Sequence, residues 1–67
     1  MNQYLEGILS RERYLARLYE DLTYEIKFAE GRRCSEEYIE ALKKKRYDLA
    51  ERPLEEIRKK IKEITDV

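Results

Sequence analysis

The residues able to do chemistry are numerous but narrow in type. The chain carries 15 acidic and 15 basic residues, six tyrosines, one cysteine and no histidine. Carboxylates on helices can build a di-iron site, but the bundle pattern needs Glu-x-x-His. A hydrolytic triad lacks its base. One thiol without an imidazole makes neither an activated nucleophile pair nor a zinc site. The residue types therefore predict a protein that is not an enzyme, with no metal and no cofactor.

The basic residues point elsewhere. Lys43, Lys44, Lys45 and Arg46 form the densest run, and Arg32 and Arg33 precede it. Such runs can contact nucleic acid. On a helix, successive residues point about 100° apart, so this run does not form one flat patch. Glu36, Glu37 and Glu40 dilute it further. Nucleic-acid binding through these residues is the alternative function, not the favoured one.

Arg11 and Arg46 break the apolar pattern described below. Each falls where its helix should meet a neighbour, and an arginine there needs a partner. Glu12 and Glu56 are candidates for Arg11, and Asp21 and Glu25 for Arg46. A register-fixing ion pair is the first expectation. An anion or small-ligand pocket around the two arginines is the third function considered. Tyr14, Tyr24 and Phe28 project from a polar face and form a sparse strip that could dock a protein partner. Tyr4, Tyr19, Tyr38 and Tyr47 read as core-edge residues with their hydroxyls reaching water. Cys34 is expected to be exposed: an inert thiol of no role is the first reading, and mild activation by Arg33 and a nearby helix N-terminus the second.

Two long helices position these groups. Apolar residues recur at Tyr4, Ile8, Leu15, Leu18, Leu22, Ile26 and Ala29, in steps of three and four. They predict a helix over about 3–30, capped by Asn2 and about 42 Å long. Leu5, Leu9, Ala16 and Tyr19 form a second row beside the first. Gly7 either permits close helix approach or marks a frayed start, with the firm helix capped at Ser10.

The corner spans 31–35. Gly31 is expected to take the left-handed conformation that ends a helix. Ser35 is the expected N-cap, followed by Glu36 and Glu37 on the positive helix end. The second helix, about 36–65, carries Tyr38, Ile39, Leu42, Leu49 and Ala50, then Leu54, Ile57, Ile61 and Ile64. Pro53 interrupts it but the apolar phase resumes, which predicts a continuous helix kinked at Pro53 over one broken there. Glu40/Lys44, Asp48/Arg52, Glu55/Lys59 and Glu56/Lys60 are acid-before-base pairs on its solvated face.

Folding at the corner gives an antiparallel hairpin. It pairs Ala29 with Tyr38, Ile26 with Ile39 and Leu42, Leu18 with Leu49, Ile8 with Ile57, and Leu5 with Ile61. The fold class is all-α, in one domain over 1–67.

With 67 residues and one cysteine, neither a large core nor an intrachain disulfide is possible. The balanced charge gives no bulk attraction for nucleic acid or membrane. No apolar run resembles a signal peptide or a membrane span. The lone thiol fits a reducing compartment, so the expected location is the cytoplasm. Each helix is apolar over two flanks, and a lone hairpin covers one. A homodimeric four-helix bundle would cover the second, with Leu5, Leu9, Ala16, Tyr19, Ala50, Leu54 and Ile61 at the interface. The expected function is a small interaction or regulatory module acting through that bundle.

Overall fold

The computed structural model describes residues 3–65. Asn2, the expected first cap, lies outside them. Helix α1 spans Gln3–Gly31 and α2 spans Glu36–Arg46. A five-residue π-helical segment, Tyr47–Glu51, joins α2 directly to α3, Arg52–Thr65. The result is an antiparallel helical hairpin, 48 × 15 × 14 Å.

Helix α1 runs unbroken through Gly7 and Ser10, so the start at Ser10 is overturned. Within the chain no other helix comes close at Gly7. A Cβ placed there would meet nothing within 4 Å.

The corner forms where expected but by a different residue. Gly31 stays helical, and Arg33 takes the left-handed conformation at φ 58°. The backbone closes a Schellman turn: Arg33 N–H donates to Glu30 C=O (3.1 Å) and Cys34 N–H to Ala29 C=O (3.0 Å). That pattern requires positive φ two residues after Gly31, so glycine's freedom goes unused. Cys34 then packs on Ile26, Ala29 and Leu42. It is half-buried, contrary to the expected exposed thiol. Ser35 caps α2 as expected, its hydroxyl accepting from Tyr38 N–H at 3.2 Å.

The second half is continuous through Pro53. Proline has no N–H and its ring presses on the carbonyl four residues back, that of Leu49. The π segment ends at this point. Arg52 N–H donates to Tyr47 C=O, five residues back, and the wider turn makes room for the ring. Leu42, Arg46, Ala50 and Leu54 lie four apart. Steps of four drift around an α-helix of 3.6 residues per turn, and the π turn absorbs the drift. Ala50 is consequently 0% exposed while Leu49 is 49% exposed. The expected Leu18–Leu49 pairing is thus replaced by an inward Ala50.

The core divides into two clusters. Near the corner, Ile26, Ala29 and Leu42 pack together with Ile39, as expected. Farther out, Leu15, Leu54 and Ile57 pack together, flanked by Ala16 and Ile61. Ile57 meets Leu15 where Ile8 was expected, so the second half sits nearer the corner than the expected pairing placed it. Tyr38, expected against Ala29, is largely exposed.

Candidate interaction surfaces

The seam arginines behave differently from each other. Arg46 reaches across to α1, where Nη1 donates to Thr23 Oγ1 at 2.9 Å. The Thr23 hydroxyl donates in turn to Tyr19 C=O at 2.8 Å, which leaves its lone pair free to accept. The guanidinium also lies 4.9 Å from the Tyr19 ring centroid. Its Nε is buried with no hydrogen-bond partner. Asp21 and Glu25, the expected carboxylates, are exposed and make no ion pair with it. Both project from α1 away from the seam, whereas Thr23 lies on the flank facing Arg46. The positive charge is therefore held by a hydroxyl and an aromatic face.

Arg11 is exposed, beside Pro53, Glu56, Ile57 and Lys60. It makes no ion pair among the described residues. Glu12, one of its expected partners, pairs instead with Arg58 Nε at 3.3 Å and ties α3 to α1. Arg11 and Arg46 do not converge, so no single anion pocket gathers them. The four expected acid-before-base pairs on the second half are open. Glu40 is instead 3.9 Å from Lys43, three residues on.

The basic residues are dispersed. Lys43 is half-buried and pairs with Glu40, while Lys44 and Lys45 are exposed. Arg46 turns into the seam. Arg32 stacks on Phe28, 4.8 Å from the ring centroid, and Arg33 occupies the turn. Among the described residues no group of three or more His, Cys, Asp or Glu side chains is arranged to hold a metal ion. Among the described residues no helix is long and apolar enough to cross a membrane.

The aromatic strip is exposed in full, with Tyr24 at 76%. Tyr24 and Phe28, one helical turn apart, line a shallow apolar concavity. Tyr14 stands about 15 Å from Tyr24 along the axis and does not join them.

The expected dimer flank divides. Ala50 and Leu54 are buried within the chain by its own α1, so they are not free to cover a mate. The reason is the π turn, which rotates both inward. Ala16, Tyr19, Leu5 and Ile61 are half-buried and Leu9 is exposed. Ala16 and Tyr19 line a groove between α1 and the second half, whose other walls are Glu20, Glu51, Leu54, Glu55 and Arg58. The groove's three carboxylates were not among the expected site residues. Their only signal in the sequence was position, and that depends on the unforeseen rotation before Pro53.

The chain matches no family model, no curated protein and no solved structure. Geometry alone carries the functional reading.

Proposed function

We infer that the chain is a small, non-enzymatic interaction module that works as a homodimeric four-helix bundle in the cytoplasm. Its surface carries the reading. The hairpin exposes 5756 Å². A compact protein of 8.2 kDa would expose about 4,500 Å². The excess, about 1,200 Å², exceeds the roughly 800 Å² that each partner contributes to a standard interface.

The radius of gyration agrees, at 15.0 Å against about 11 Å for a compact domain of this length. Leu9, on the expected dimer flank, is among the large apolar side chains left in water. Burying such a side chain gives about 1.5–3 kcal/mol, a large share of what so small a core supplies. A two-fold partner offers the same surface and covers it. A complex with a second protein would then form on the remaining aromatic face, at Tyr24 and Phe28.

The absence of histidine from the sequence supports leaving catalysis out. The dispersal of the basic side chains favours a protein partner over nucleic acid. The reading is tested by thermal melts over a hundredfold range of protein concentration. The midpoint rises with concentration if folding and dimerisation are coupled, and a constant midpoint contradicts the reading.

A further inference from the structure

We propose that the groove beside Tyr19 is the seat of the second copy, and that Arg46 of each copy is the counter-charge for the other copy's groove carboxylates. The proposal rests on the homodimer reading and adds its face and its pairing.

Two unbalanced charges adjoin on this side of the hairpin. The groove holds Glu20, Glu51 and Glu55, none of which makes an ion pair among the described residues. The groove's one cation, Arg58, is already engaged with Glu12. Tyr19 forms one wall of the groove, and its ring carries the Arg46 guanidinium. Among the described residues Arg46 in turn has only neutral partners, Thr23 and that ring. Arg46, half-buried in the seam, thus adjoins an acidic groove, and neither charge has an ionic partner among the described residues.

Within one chain these charges stay apart. A two-fold axis beside Tyr19 exchanges them, because such an axis sets each patch against its neighbour on the mate. Each Arg46 then faces Glu51 and Glu55 of the other copy, and the two contacts form together. Ala16, which lines the groove, is small enough to let the helices approach, and exposed Leu9 lies farther along the same flank. The surplus surface noted above is large enough for this contact. A basic peptide would satisfy the carboxylates but leave Arg46 unmatched, so a second copy fits better.

The test is a charge-swap by sedimentation equilibrium, with helix content followed by circular dichroism. Arg46→Glu alone and the double variant Glu51→Arg/Glu55→Arg alone should each weaken self-association at least tenfold, because like charges then face each other. An equimolar mixture of the two should recover a heterodimer, since every facing pair is again opposite in sign. If Arg46→Glu loses helix, the groove variant alone decides, because Glu51 and Glu55 hold no ion pair whose loss would unfold the chain. A groove variant that dimerises as tightly as wild type overturns the proposed face while leaving the homodimer standing. A folded mixture that stays monomeric overturns the pairing. A wild-type chain that is itself monomeric removes the homodimer reading as well.

Discussion

The guanidinium of Arg46 lies over the ring of Tyr19 and passes on to the hydroxyl of Thr23, joining the second half of the hairpin to the first. Among the described residues no carboxylate completes the contact. Thr23 is oriented for it by its own bond to the Tyr19 carbonyl. The hydroxyl is therefore a structural acceptor for a cation, and its removal should be felt. Thr23→Val keeps the side-chain shape but leaves Nη1 without its acceptor. It should cost about 1 kcal/mol in denaturant unfolding at fixed protein concentration. Thr23→Ser keeps the hydroxyl and should cost less. Arg46→Lys should not preserve stability, because an ammonium lacks the planar face that stacks on the ring.

The corner gives a prediction of the opposite sign. Arg33 sits at a left-handed position that glycine occupies without a Cβ clash. Arg33→Gly should stabilise the chain by about 1 kcal/mol. Arg33→Val should destabilise it, as β-branched residues tolerate this region worst. Destabilisation by glycine would show that the turn closes in another way. Cys34, packed on Ile26, Ala29 and Leu42, should react with a thiol reagent more slowly in the folded chain than in denaturant.

The π segment ranks two leucines that look alike in the sequence. Leu49→Ala should cost less than about 1 kcal/mol, because Leu49 is half in water. Leu22, 4% exposed, should cost about 2–5 kcal/mol when cut to alanine. Ala50→Leu should be costly too, since its site is closed and overpacking strains a core. Equal costs for the two leucine truncations would mean that the helix passes Pro53 without the π turn.

Much of the hairpin was legible because periodicity and capping are local. The run from Leu15 to Ala29, the Ser35 cap and the pairing of Ile26 with Ile39 and Leu42 all follow from spacing and side-chain chemistry. What escaped depended on backbone adjustments that spacing does not encode. Gly31 invited the left-handed position, yet the hydrogen-bond pattern of the turn assigns it to Arg33. Pro53 signalled a disturbance, but not that an i→i+5 turn would resolve it and bring Ala50 inward in place of Leu49. The same rotation buried Leu54, which the sequence offered as an outer-flank residue. It also set Glu51 and Glu55 beside Tyr19, where residue spacing offered no reason to look. Arg46 was legible as a seam cation, and its partners were not, because a threonine already bonded to its own helix does not announce itself as an acceptor.

The central claim is that this hairpin works as a pair. Sedimentation equilibrium at tens of micromolar tests it most directly. The expected result is a folded species of twice the chain's 8.2 kDa, dissociating on dilution with loss of helix. A folded, monodisperse species of 8.2 kDa at that concentration, with a melt indifferent to dilution, would contradict it.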